Sequence, residues 1–162
     1  GGGLHLASEL FKLAAGVNIV HVPYKGGGPG ITALMAAEVQ MMFSGLSAAL
    51  PHIKSERVRA LAVGGNKRSR IVPDLPTVTE SGFQFNTSGW YGLLAPKNTP
   101  HAVTVRLHGT LMRVLSVPQM RERLIDMAIE AEGSTPEEFA RLLREEMTTW
   151  GKVIKAAGVT GI

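Results

Sequence analysis

The sequence predicts an α/β fold: a mostly parallel sheet whose strands are joined by crossover helices. Three observations carry that reading. Helical and extended patterns alternate through residues 4–82. The run "VRALAVG", residues 58–64, is almost wholly apolar, as expected of a strand covered on both faces. Glycines stand where predicted strands pass into predicted helices, in "YKGGGPG" at 24–30 and "SG" at 44–45.

The elements follow in order. "LHLASELFKLAAG" predicts a helix with Leu6, Leu10, Leu13 and Ala14 on its inner face and Gly16 as its stop. "VNIVHVPY", 17–24, is rich in β-branched residues and ends at Pro23, so it reads as a strand. "ITALMAAE" reads as a short buried helix, and "VQMMFS", 39–44, as a second strand. "GLSAALPHIKSE" is helical, with Pro51 kinking it or starting a new turn. "VRALAVG" is the third strand. "PTVTESG" then reads as a short helix, because Thr77 and Glu80 have capping-box spacing and Gly82 closes it.

The second half differs. "TSGWYGLLAP", 87–96, reads as one more strand, and three helices follow. The first takes Thr99 as N-cap and Pro100 at its first position. The second is "VPQMRERLIDMA". The third, "STPEEFARLLREEMTTWGKVIKAAG", has Thr135 as cap with Glu138 three residues on. Its stripe of Phe139, Leu142, Leu143, Met147, Trp150, Ile154 and Ala157 follows helical spacing and reads as core. A boundary falls near 83–89.

Composition narrows the function classes. With no cysteine among 162 residues, thiol catalysis, disulfides and thiolate metal sites are excluded. No apolar run reaches the roughly 18 residues of a membrane helix, so the chain is not read as membrane-spanning. The net charge of +4 is modest, and the basic cluster "NKRSR" at 66–70 lacks interleaved aromatics, so it reads as a solvated loop and no nucleic-acid partner is expected. The five histidines show no metal-ligand spacing, and neither a metal nor a cofactor is expected. Ser44 and Ser47 lack a nucleophile context, so no catalytic residue is assigned.

The glycine junctions carry the binding argument. "YKGGGPG" is not a Walker loop, since Lys25 precedes the glycines and no hydroxyl follows them. Nor does Gly26-Gly27-Gly28-Pro29-Gly30 spell a dinucleotide fingerprint. In a parallel sheet, strand-to-helix junctions share the edge where ligands bind. Helix N-termini there offer unpaired N–H groups and partial positive charge, which suits a small anion such as a carboxylate. Equally, such glycines serve tight βα turns without any ligand. His21 reads as structural, whereas His5, in the first turn after Gly1–Gly3, is placed for a ligand.

Several segments together resemble one family. "HVPYKGGGPG", "ALPHIKSERVRALAV", "KRSRIVPDLPTVTESGF", "WYGLLAPKNTP" and "GSTPEEFARLLREEMTTWGKVIKAAG" are similar to the substrate-binding proteins of tripartite tricarboxylate transporters, the Bug family. The resemblance implies a periplasmic-binding-protein-like, two-domain clamp that closes on a small organic acid. It implies that residues 1–86 form the second ligand-binding domain without its first strand. Residues 87–162 are then the crossing strand and the helices that return to the first domain, in a chain that is the C-terminal portion of a longer protein. The implied ligand-binding residues are Gly1, Gly2, Gly3, His5, Tyr24, Lys25, Gly26, Ser44 and Gly45. Family members often carry Ser or Thr in the first glycine turn and Asp in place of Ser44; here only backbone donors and a hydroxyl remain. Lys25 has two open readings, ligand contact and solvated surface lysine.

The expected function is a non-enzymatic periplasmic receptor for a small carboxylate: a di- or tricarboxylate, an amino acid or an aromatic acid. It would deliver this ligand to membrane transporter subunits by hinge closure. The alternatives are an α/β enzyme acting on a carboxylate substrate and a ligand-loaded co-receptor for a sensor kinase.

Overall fold

A computed structural model describes residues 2–87 and 89–159. The chain forms two compact units, residues 1–89 with 149–162 and residues 90–148. The described residues contain six helices: α1 (Gly3–Ala15), α2 (Gly27–Met35), α3 (Leu46–Lys54), α4 (His101–Ser116), α5 (Pro118–Asp126) and α6 (Pro136–Ala157).

Helix positions follow the sequence pattern closely because their causes are local. Gly16 ends α1 in the left-handed region, φ 64°, and its N–H bonds the Lys12 carbonyl. The α6 capping box forms in both directions: Thr135 N–H donates to Glu138 Oε2 (2.8 Å), and Glu138 N–H donates to Thr135 Oγ1 (3.1 Å). Pro51 sits inside α3, which runs on from Leu46 to Lys54.

Other expectations shift. Helix α2 begins at Gly27 and so absorbs the glycine run, with Gly30, Ile31 and Ala33 buried. The N-cap of α4 is Pro100, not Thr99, so the helix starts one residue late. Thr77 and Glu80 do exchange capping hydrogen bonds, at 2.7 and 3.0 Å, but they close a single turn and no helix follows. On α1 the inner face is Ala7, Leu10 and Phe11; Leu13 is exposed. On α6 only Val153 is buried. Phe139, Leu142, Leu143 and Trp150 are half-buried and Met147 is exposed, so the expected core stripe is only partly covered.

The largest correction concerns the strands. Segments 17–24, 39–44 and 58–64 contain no ladder strand, and neither do the described residues of 87–96. One isolated parallel bridge joins Val63 to Thr77, supported by Val63 N–H to the Pro76 carbonyl (2.9 Å) and Val78 N–H to the Val63 carbonyl (3.0 Å). Among the described residues, no backbone hydrogen bond ties 18–23, 40–43 or 59–62 to another segment. The reason is physical. Side-chain composition favours an extended backbone, but a strand exists only once a neighbour supplies its ladder.

The core of the first unit is aromatic. Phe85, 2% exposed, lies with Ala7 and Val78 at its centre, and Leu10, Phe11, Phe43, Ala62 and Phe83 pack around them. Phe11 meets Phe83 and Phe85 edge-on at 5.5 and 6.2 Å, and Phe43 stacks on Phe85 at 5.4 Å. Each such pair contributes about 0.5–1.5 kcal/mol beyond simple burial. Helix α1 therefore rests on residues from segments 39–44, 58–64 and 83–85. In the second unit α4 packs on α5. There Trp90 meets Phe139 edge-on at 5.2 Å.

Candidate anion site at the glycine-capped helix starts

Each of the first three helices starts on a glycine. The N-caps of α1, α2 and α3 are Gly2, Gly26 and Gly45. None receives a side-chain cap hydrogen bond, and none has an acidic residue in its first turn. Helix α6 is the contrast, with its hydroxyl cap and with Glu137 and Glu138 in the first turn. The starts of α1–α3 thus keep their partial positive charge uncompensated by this chain's own side chains.

Local geometry keeps these starts open. The Gly2 carbonyl accepts from His5 and Leu6 N–H at 3.0 and 3.1 Å, which leaves the amides of Gly3 and Leu4 pointing out of the first turn. Gly26 takes φ 104°, a conformation that side-chain-bearing residues rarely adopt, and its N–H bonds the Tyr24 carbonyl at 2.9 Å. This tight turn brings the chain from Tyr24 into α2. A Cβ at Gly3, Gly27 or Gly28 would meet no atom within 4 Å, so space remains at both starts.

The residues singled out in the sequence take these places. Gly1 lies outside the described residues. Gly2 and Gly3 open α1, and His5 lies in its first turn. Tyr24 is partly exposed, and its hydroxyl lies 3.5 Å from Glu38 Oε2. Lys25 is exposed. Ser44 is half-buried, and its Oγ donates to the Gly45 carbonyl at 3.3 Å. The structure brings His5 against His21, with ring centroids 3.8 Å apart and planes within 15°. This stack joins the first turn of α1 to the segment that leads into the Tyr24–Gly26 turn.

Sequence reasoning missed the charged partners beneath that stack. Glu9 is buried, and its carboxylate holds Lys12 Nζ at 2.9 and 3.0 Å and faces His5 Nε2 at 3.6 Å. The signal was present as the spacing of His5, Glu9 and Lys12 on one helical face, but a glutamate in an exposed-looking helix reads as solvated. His21 is held below its ordinary range, chiefly by burial and then by the like charge of His5.

A cavity of about 520 Å³ elsewhere, lined by Leu50, Ile53, Ala60, Ile71 and Leu75, lies toward the opposite end of α3 from Gly45. Lys54, Glu56, Arg59 and Asp74 also line it, and it is distinct from the helix starts. Among the described residues, no three acidic or histidine side chains converge as a metal site, and no helix is long and apolar enough to cross a membrane. The basic run keeps to a loop, where Arg68 Nε holds Glu80 at 3.0 and 3.2 Å.

The model of the tripartite tricarboxylate transporter family receptor, TctC, matches residues 1–159. The chain belongs to this family. Protein BugT of Bordetella pertussis is 31% identical over 159 residues, which cover 98% of this chain and 49% of BugT. The UPF0065 protein of the tcbD-tcbE intergenic region in Pseudomonas sp. strain P51 is 36% identical, over 95% of this chain and 46% of its own length. That of the clcB-clcD intergenic region in Pseudomonas knackmussii is 33% identical, over 95% and 92%. The chain thus spans about half the length of two of these relatives and nearly all of the third.

Solved structures agree in fold. The R. palustris protein Rpa4515 with adipate aligns over all of this chain and 55% of its own, with a TM-score of 0.86 at 32% identity. The periplasmic binding protein BugD aligns over 98% and 54%, with a TM-score of 0.80 at 33% identity. MatC of Rhodopseudomonas palustris with bound malate aligns over 94% and 53%, with a TM-score of 0.77 at 30% identity. The fold class is therefore that of the periplasmic solute-binding receptors, an α/β architecture of which this receptor-family chain is part.

Proposed function

We propose that this chain forms part of a periplasmic receptor that binds a small organic carboxylate and passes it to a tripartite tricarboxylate-type membrane transporter. The observation that carries the reading is the row of three successive helices opened by glycine, uncapped by side chains and free of first-turn acids. A carboxylate supplies what those starts lack: an acceptor for the free amides and a negative charge at the helix end. Structural neighbours carrying adipate and malate, both dicarboxylates, support the choice of ligand class.

In this reading the backbone of Gly1–Gly3 and the amides of Gly27 and Gly28 donate to the ligand, the Gly26 turn positions the start of α2, and Ser44 and Gly45 line the start of α3. His5 borders the first of these positions and Tyr24 the second. Lys25 adds a positive charge at the rim. Recognition through main-chain donors requires no nucleophile or acid–base pair, so the protein acts by binding rather than by turnover. Residues 1–86 serve as one ligand-binding domain, and 87–162 as the crossing segment and helices that pack on the other. The exposed apolar side chains of α4, including Val103, Val105 and Leu107, suit such a partner surface.

Calorimetry of the intact protein against dicarboxylates, tricarboxylates, amino acids and aromatic acids tests the proposal. Saturable binding of at least one class is expected. A well-folded sample that binds none would overturn it.

A further inference from the structure

The His5–His21 stack has chemistry that the receptor reading does not use. Two imidazole rings lie face to face with centroids 3.8 Å apart. Two positive charges at that separation repel, so a proton on one ring disfavours a second on the other. The groups facing it are few. From α1 come Glu9, 3.6 Å from His5 Nε2, and Lys12. Segment 17–24 contributes His21 itself.

The arrangement of those groups decides the state of the pair. Glu9 is the carboxylate beside the stack, and both its oxygens are engaged by Lys12, at 2.9 and 3.0 Å. Its negative charge is therefore already matched. The start of α1, whose first turn holds His5, is positive. His5 Nδ1 is shielded from solvent and has no hydrogen-bond partner among the described residues. Burial, and then the like charge of His5 against its ring, hold His21 below its ordinary range in the free protein.

We infer that the His5–His21 pair takes up a proton when a carboxylate binds at the first turn of α1, so that binding is proton-linked and tightens as pH falls. The inference rests on the carboxylate-receptor reading above. The ligand supplies the negative charge that the site lacks, and the proton comes from solvent; no bond forms other than N–H on one imidazole. The stack also ties α1 to the segment that ends at the Tyr24–Gly26 turn. One proton therefore steadies two glycine starts together.

The test is calorimetry of the intact protein with adipate and with malate, at one near-neutral pH, in two buffers of different ionisation enthalpy. The expected result is uptake of about 0.2–0.8 proton per ligand, with affinity about three- to tenfold higher near pH 6 than near pH 8. His21→Phe, which keeps a ring against His5, is expected to flatten the pH dependence. Nuclear magnetic resonance gives a readout independent of affinity: the titration midpoints of the two histidine rings move up when ligand is added. Binding with no proton uptake and fixed midpoints overturns this inference and leaves the receptor reading intact. Absence of binding at every pH overturns the receptor reading, and this inference with it.

Discussion

At the scale of single residues, environment sets the chemistry. His21 is held below its ordinary range of 6.5 by burial, then by the like charge of His5. The unfolded chain therefore binds more protons than the folded one near that pH, and stability rises with pH across the window. The expected outcome is a urea midpoint lower near pH 5.5 than near pH 7.5, by a modest amount because the ring is partly exposed, with the difference reduced in His21→Phe. Gly64 tests close approach: a Cβ there would lie 2.7 Å from the Thr87 carbonyl oxygen, a backbone atom that cannot swing away. That same strip is held by Thr87 N–H donating to the Gly64 carbonyl at 2.8 Å. Gly64→Ala is expected to cost about 1–3 kcal/mol in urea unfolding, and a neutral result would mean that the 64–87 contact is loose.

At the scale of elements, the helices were legible in the sequence and the strands were not. Helix signals are local: the Thr135–Glu138 box, Gly16 and the apolar spacing act within a few residues. Thr135→Ala removes the hydroxyl that caps Glu138 N–H and is expected to lower stability by about 1 kcal/mol, read from the thermal or urea transition. Strand signals are only half local. Segments 17–24 and 58–64 were recognised as extended from their β-branched and apolar content, yet a ladder needs a partner that no single segment encodes. Val20 and Leu61, 82% and 68% exposed, show what is left without one. Hydrogen exchange on this chain alone is expected to find the amides of 18–22 and 59–62 fast, with those of α1 slower. Strong protection of the extended segments would contradict the structure. The candidate site divided in the same way. Its glycine caps were readable from junction position, whereas the Glu9–Lys12 pair and the His5–His21 stack depend on what α1 is packed against.

At the scale of the whole molecule, the account joins a fold to a mode of recognition. The first unit has an aromatic core around Phe85, which anchors α1. From there the chain presents three glycine-opened helices whose positive ends are left uncovered. The family match places this chain in the TctC family, the shared fold agrees, and the open helix starts supply a physical reason for the carboxylate ligand proposed above. The most direct measurement compares the intact protein with its Gly28→Asp variant in calorimetric titrations with adipate and malate. The added Cβ meets no atom within 4 Å, and an aspartate in the first turn suits a helix, so the variant is expected to fold with unchanged or slightly raised stability. Its carboxylate should occupy the start of α2 and weaken ligand binding by about tenfold or more. Unchanged affinity in a folded variant would contradict the claim that these helix starts hold the ligand.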